Sequence, residues 1–112
     1  MKKDYFFKTG IKGKNAIQAR IDYDKRAGGY AVSFQVGDVD RDGMFGWHID
    51  ADYFNYYQKP QTRLLILAGR RSEKKEQEAA ALLEQNALAY VQEFAAAAEA
   101  LGAPKMTVEM IA

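Results

Sequence analysis

The strongest constraint on the fold is a long amphipathic stretch from Ser72 to Leu101. Apolar residues recur in it at steps of three and four, which places them on one face of a helix, and polar residues lie opposite. The pattern therefore predicts one long helix that covers an apolar surface. The predicted apolar face comprises Ala80, Leu83, Ala87, Val91, Phe94, Ala98 and Leu101, widened by Leu88, Ala95, Tyr90 and Ala97.

The ends of this helix carry residues typical of helix termini. Ser72 is a good N-cap residue, and Gly102 followed by Pro104 is a common helix stop. A helix of this length runs about 45 Å, whereas a short strand spans about 20 Å. We therefore expect that its charged first turns project into solvent, that it bends, or that part of its face covers a second subunit. The alanine-rich half, Ala95 to Ala100, would let another backbone approach closely.

Four segments before the helix show the two-residue alternation that is typical of strands. Turn residues separate them at Gly10 and Gly13, at the Lys25–Gly29 hairpin loop and at Asp38–Gly43. Each segment has one apolar face, as in a sheet with one side on a core and the other in solvent. The predicted strands are Asp4–Thr9, Asn15–Asp24, Tyr30–Val36 and Met44–Asp50, with Ile17, Ala19, Ile21, Tyr23, Tyr30, Val32, Phe34, Val36, Phe45, Trp47 and Ile49 facing inward.

Three further segments complete the chain. Asp52 could cap a short helix that Pro60 ends, and Lys105–Ile111 alternates like a closing strand. The apolar run Leu64–Ala68 fits either a strand or a helical turn, because periodicity cannot separate the two in so short a run. The sequence thus predicts an α+β fold in one domain. It consists of an antiparallel meander sheet of four to six strands, one face of which is covered by a single long C-terminal helix, followed by a short closing strand.

Composition excludes several classes of protein. The chain has no cysteine, so it has neither a disulfide framework nor a thiolate metal site. No apolar run approaches the roughly 20 residues of a membrane-spanning helix, and the N-terminus lacks the apolar core of a signal peptide. We therefore expect a cytoplasmic protein without a membrane partner. Nothing in the sequence implies a cofactor.

The charge is distributed in blocks of alternating sign. Residues 1–26 carry eight Lys or Arg against three Asp (+5), and residues 27–58 carry one against five (−4). Residues 59–75 carry six against one (+5), and residues 76–112 carry one against six (−5). Such blocks can neutralise each other within the fold, or they can make a bipolar surface that docks a copy of itself or a charged partner.

A candidate anion site lies at the start of the long helix, where an apolar run gives way to Arg70, Arg71, Ser72 and Lys74. Backbone N–H groups at a helix N-terminus bind anions, and arginine adds a bidentate fork for phosphate. The segment lacks the glycine spacing of a Walker loop. The alternatives are phosphate recognition and simple ion pairing. Recognition of nucleic acid or a nucleotide would use these residues with help from Lys12 or Lys14, whereas pairing would engage Glu73, Glu76 and Glu78 or the acidic hairpin.

Two weaker motifs favour structural interpretations. Asp38–Gly43 fits the first six positions of a calcium loop, but Ile49 occupies the twelfth position, where glutamate is required, so a hairpin turn is favoured. His48, the one histidine, could act with Asp50 as an acid–base pair. No nucleophile motif accompanies the pair, so we expect a solvated strand histidine and a protein that is not an enzyme.

A cluster of aromatic residues, Tyr53, Phe54, Tyr56 and Tyr57, is too large to be buried under one helix together with the strand aromatics. Exposed tyrosine suits a protein interface, and it also suits stacking on single-stranded nucleic acid. We favour the interface. The expected function is a small non-enzymatic binding module that acts through protein–protein contacts, as a homodimer or with another protein. The alternative is a phosphate-ligand binding protein that uses the arginine-rich start of the helix.

Overall fold

The computed structural model describes residues 3–60 and 62–111. In this part of the chain six strands form one antiparallel sheet and a long helix packs against it, so the predicted α+β fold is confirmed. A short π-helix, Tyr53–Tyr57, lies between the fourth and fifth strands. The strands are β1 (Asp4–Lys8), β2 (Ala16–Asp24), β3 (Gly29–Val39), β4 (Phe45–Trp47), β5 (Arg63–Ala68) and β6 (Glu109–Met110), and the helix is α1 (Glu73–Ala100).

The sheet order is β4-β3-β2-β1-β6, and β5 pairs with β3 outside this path. The first four strands form the predicted meander. β5 departs from it because β3 is eleven residues long and offers its second edge to two partners. Gly29–Ser33 pair with β5, and Gly37–Val39 pair with β4. β4 and β5 are therefore both outer strands on this side of the sheet, and Leu64–Ala68 is a strand rather than a helical turn.

The core lies between the sheet and α1. The rings of Phe34 on β3 and Phe94 on α1 stack with centroids 4.9 Å apart. Tyr57 from the π-helix packs beside Phe94, with the ring centroids 6.4 Å apart. The alternation in β2 and β3 is confirmed by burial. The predicted inward residues Ile17, Ala19, Ile21, Tyr30, Val32, Phe34 and Val36 are all buried, and Tyr23 is partly buried against them.

α1 begins and ends where the sequence predicts. Ser72 Oγ accepts a hydrogen bond from the backbone N–H of Lys75 at 3.1 Å, which caps the helix. The buried residues of α1 run from Ala79 to Ala98, so its first two turns lie beyond the apolar core. These turns are nevertheless tied to the sheet, because the Tyr30 hydroxyl donates to the Ser72 carbonyl at 3.1 Å and Lys3 pairs with Glu76.

Some details of the predicted core are wrong. Trp47 and Ile49 were expected to face inward, yet they are 42% and 55% exposed. β4 is only three residues long and pairs with the last residues of β3, so it ends well before Asp50. Leu88 and Leu101 of the predicted apolar face are also exposed. Leu88 lies at the margin of the stripe, and Leu101 is the C-cap residue, where the chain leaves the helix.

Two further boundaries differ from expectation. Asp50, rather than Asp52, supports the start of the π-helix, since its Oδ1 accepts from the Tyr53 N–H at 3.0 Å. Asp52 makes no capping hydrogen bond with its side chain. The closing strand is shorter than predicted, because only Glu109–Met110 pair with β1.

Candidate interaction surfaces

The predicted anion residues lie together at the turn from β5 into α1, and all four are exposed. The Ser72 hydroxyl already caps the helix. Arg71 stacks over the ring of Tyr23, with its guanidinium carbon 5.1 Å from the ring centroid. The predicted ion pair of Glu76 with a cation of this turn is replaced by an ion pair with Lys3. Ser72 is therefore structural, and the arginines and Lys74 remain the exposed charges of this turn.

A second basic loop lies against this turn. The Gly69 N–H donates to the carbonyl oxygen of Gly28 at 2.9 Å, which joins the β5–α1 turn to the β2–β3 hairpin. The hairpin carries Lys25 and Arg26, both exposed. We call the combined surface the basic rim, which comprises Lys25, Arg26, Arg70, Arg71 and Lys74. None of these five takes part in the ion pairs formed among residues 3–60 and 62–111.

Lys12 and Lys14 do not join the basic rim. They lie in the turn before β2, at the opposite end of that strand from Lys25. Lys14 Nζ lies 2.6 Å from Asp50 Oδ2 and 3.7 Å from Asp52 Oδ2. The hydrogen bond from Lys14 lowers the pKa of Asp50, and the same bond raises the pKa of Lys14 against the opposing effect of its burial. Their predicted assistance at the helix start is therefore wrong, and Lys14 anchors the segment before the π-helix.

The predicted aromatic surface divides in two. Tyr57 is only 2% exposed and belongs to the core, so its ring is not available to a partner. Phe54 is 51% exposed, and Tyr53 lies between it and Trp47 in a series of edge-to-face contacts with centroids 5.2 and 5.5 Å apart. Tyr56 is half-buried beside Tyr57. The rings of Trp47, Tyr53 and Phe54 thus form a continuous apolar surface beyond the end of β4.

The remaining motifs are parts of turns. In Asp38–Gly43 the Asp40 Oδ1 accepts from the N–H groups of Asp42 and Met44 at 2.9 and 3.0 Å, and the hairpin turn is confirmed. Asp50, the predicted partner of His48, is bonded to Lys14 instead. Across the described residues, no group of three or more acidic or histidine side chains is arranged to hold a metal ion.

The structure adds a candidate surface that the sequence did not indicate, the outer edge of β5. Within the described ranges β5 pairs with β3 alone, so its other edge is open. Phe34 N–H donates to the Thr62 carbonyl at 3.2 Å, so Thr62 and Leu64 direct their backbone groups toward β3. Because these directions alternate along a strand, the N–H and C=O groups of Arg63 and Leu65 point away from the sheet. The Leu65 side chain beside them is 41% exposed.

The C-terminal part of this edge is less open. Lys75 Nζ donates to the Ala68 carbonyl at 3.1 Å, and a β-bulge interrupts the ladder between Leu65 and Leu67. Bulges and lysines are common devices that protect a sheet edge from unwanted pairing. They restrict the open, regular part of the edge to Arg63, Leu64 and Leu65.

A groove of mixed polarity runs beside this open part on the helix side of the sheet. Its volume is about 190 Å³. Leu64 contributes the β5 side and Tyr90 and Ala97 the α1 side, with Glu93 as the charged residue of the lining. The floor consists of the stacked pair Phe34 and Phe94. The groove therefore leads from the open strand edge to the core.

Sequence reasoning missed Lys25 and Arg26 as neighbours of Arg70, and it missed the edge position of β5. Both depend on the pairing of β5 with β3, which joins segments about 35 residues apart in the chain. β3 is four residues longer than the predicted strand Tyr30–Val36, and this extra length lets one of its edges take two partners. A strand that is longer than its partner leaves part of its edge free for a second strand, but the local sequence does not identify which segment pairs there.

No protein-family model, no curated protein and no solved structure matches the chain. The described residues also contain no helix that is both long enough and apolar enough to cross a membrane.

Proposed function

We propose that this protein is a protein–protein interaction module that self-associates through the open edge of β5. The observation that supports the proposal is the outer edge of Arg63–Leu65, which pairs with no other strand among the described residues and carries an exposed leucine beside its free backbone groups. An apolar strand edge is a template for pairing with another chain, and main-chain hydrogen bonds supply affinity in such contacts.

The direction of the free backbone groups selects one register for a two-fold pair. If the axis passes through Leu64, Arg63 of each protomer lies opposite Leu65 of the other. Each such pair exchanges two N–H to C=O bonds, so the dimer gains about four inter-strand hydrogen bonds. The two Leu64 side chains then meet on the helix side of the sheet. Antiparallel association of identical strands is the isologous arrangement that closes with two copies.

The helix layer adds apolar contact to this arrangement. A two-fold axis perpendicular to the sheet keeps both α1 helices on the same side. The groove lined by Leu64, Tyr90 and Ala97 lies next to the axis, so the two grooves adjoin across it. Small side chains such as Ala97 allow close approach of a neighbouring helix. Burial of these surfaces would contribute roughly 25 cal/mol per Å² of apolar area.

Sedimentation equilibrium over 1–100 µM tests this proposal. We expect wild-type protein to form a dimer in this range. Leu65→Lys should shift the equilibrium to monomer, with a rise in Kd of at least about tenfold, because the new ammonium would lie beside Arg63 of the second protomer. Met110→Lys is the matched control, since Met110 is comparably exposed on β6 at the opposite edge of the sheet.

The control should dimerise like wild type. At concentrations well below the dimer Kd both variants should unfold at the wild-type temperature because both positions are exposed, whereas at higher concentrations loss of the dimer should lower the Tm of Leu65→Lys. A wild-type protein that stays monomeric at 100 µM would refute self-association. Equal dimerisation of the Leu65→Lys variant and wild type would refute the β5 interface.

A further inference from the structure

We propose that the basic rim binds the phosphate backbone of nucleic acid without sequence preference. The surface consists of five exposed cations from two loops that are distant in the chain and joined by the Gly69–Gly28 hydrogen bond. It adjoins the open edge of β5, because Arg63 pairs with Asp24 of the β2–β3 hairpin, but the proposal does not depend on self-association.

The charge of this surface is only partly neutralised locally. Four acidic residues lie in the same loops or next to them, namely Asp22, Asp24, Glu73 and Glu76. Asp24 pairs with Arg63 at 2.6 Å, and Glu76 pairs with Lys3. Against the five cations of the rim and the neighbouring Lys75, this leaves Asp22 and Glu73 as the acids with no ion pair among the described residues, so these segments carry a net charge of about +4. A cluster of unneutralised Lys and Arg is the electrostatic footprint of phosphate-backbone binding.

The two loops are held in fixed conformations. Asp24 Oδ1 accepts from the N–H groups of Arg26 and Ala27 at 2.9 and 3.2 Å, and Gly28 adopts a φ of +87° that closes the hairpin. The bond from Arg63 to the other carboxylate oxygen lowers the pKa of Asp24, so that this carboxylate stays charged. On the second loop Arg71 rests on the Tyr23 ring. The backbone that carries the rim cations is therefore already ordered, so binding costs little conformational entropy of the backbone.

The composition of the rim indicates the kind of ligand. Charges spread over two loops suit a polymer with regularly repeated phosphates, and the rim has no apolar residue that would insert into a lipid surface. The exposed rings of Trp47 and Phe54 lie near the other end of β3, so they are not positioned to stack on bases bound here. The helix N-terminus adds little, because Ser72 already caps it. Contacts to phosphate alone carry no sequence information.

Fluorescence anisotropy with labelled 20-mer oligonucleotides tests this inference. We expect binding of oligo-dT, oligo-dA and a mixed duplex at 50 mM NaCl. If all five cations contact phosphates, log K should fall against log salt with a slope of about −4.5 for the duplex and −3.5 for single strands. Replacement of Arg70 and Arg71 by alanine should reduce the duplex slope by about 1.8, and so should replacement of Lys25 and Arg26.

The control is Lys12→Ala combined with Lys105→Ala, which removes two exposed cations far from the rim and should leave the slope unchanged. Thermal denaturation confirms that each variant is folded. Absence of binding at 50 mM NaCl, or equal loss of binding in the control, would overturn the inference. Full competition by ATP at matched phosphate concentration would also overturn it, since a mononucleotide cannot span both loops.

Discussion

Phe34 of β3 and Phe94 of α1 stack at the centre of the molecule, with ring centroids 4.9 Å apart and ring planes inclined by 15°. Both rings are at least 95% buried, and together they form the floor of the groove beside β5. This contact joins the helix to the sheet and, in the proposed dimer, connects the core of one protomer with the interface.

Truncation of either ring should therefore lower the stability of the fold. We expect Phe94→Ala to lower the free energy of unfolding by about 3–5 kcal/mol, because it removes a buried ring and leaves a cavity against Phe34. Leu88→Ala is the control on the same helix, and its effect should stay within about 0.5 kcal/mol because Leu88 is exposed. Urea denaturation measures both. Similar losses in the two variants would contradict the assigned core.

Two glycines that lie in paired strands differ sharply in their surroundings. A Cβ at Gly37 would collide with the carbonyl oxygen of Gly46, which lies over the face of β3 that points away from α1. A Cβ at Gly46 would meet nothing within 4 Å. We expect Gly37→Ala to destabilise the fold by about 1–3 kcal/mol, and Gly46→Ala to change it by less than about 0.5 kcal/mol.

Calorimetry distinguishes these two variants. For a domain of this size each kcal/mol corresponds to a shift of about 4–8 °C in Tm. A Gly37→Ala variant as stable as the Gly46→Ala variant would show that β4 does not approach β3 so closely.

The ion pair of Lys14 and Asp50 should make stability depend on pH in the acid range. The pKa of Asp50 is lowered in the folded protein, chiefly by the hydrogen bond from Lys14. A carboxylate of lowered pKa stabilises the fold above its unfolded value of about 4, and this contribution is lost as the pH falls through the folded pKa. Lys14→Gln should therefore raise the pKa of Asp50.

Carbon-13 NMR titration of the side-chain carboxyl measures this shift directly. Urea titrations give a second readout, since the difference in stability between wild type and Asp50→Asn should shrink as the pH falls from about 4 through the lowered pKa of Asp50. An Asp50 pKa that is unchanged in Lys14→Gln would contradict the contact.

The helix and the central strands could be predicted from the sequence because local patterns specify them. Ser72, Gly102 and the stripe from Ala80 to Ala98 define α1, and alternation defines β2 and β3. Alternation also gives a wrong prediction for β4, since it shows which residues share a face of a strand but not whether that face packs against the helix. Trp47 alternates like a core residue, yet it pairs with Gly37 on the face of β3 opposite the buried Phe34 and Val36, and Ile49 lies beyond the end of β4.

The candidate sites were only half predictable. Arg70, Arg71 and Lys74 can be identified from the sequence because helix N-termini bind anions and arginine forms a bidentate contact with phosphate. Lys25 and Arg26 were not joined to them, because the hydrogen bond of Gly69 to Gly28 depends on the return of β5 to β3. Tyr57 was assigned to a surface because nothing in the sequence indicates that the π-helix turns this one ring into the core.

The central claim is that two copies pair along β5 with the axis at Leu64. In that register the two Leu64 residues form a non-hydrogen-bonded pair with Cα atoms about 4.5 Å apart, within the range of a disulfide. The chain has no cysteine, so a single Leu64→Cys substitution under mild oxidation gives a direct readout on a non-reducing gel. Leu101→Cys, exposed at the end of α1, is the control.

We predict that Leu64→Cys forms a covalent dimer nearly quantitatively at low micromolar concentration, whereas Leu101→Cys stays mainly monomeric. If Leu64→Cys cross-links no more than Leu101→Cys, the two copies do not meet along β5.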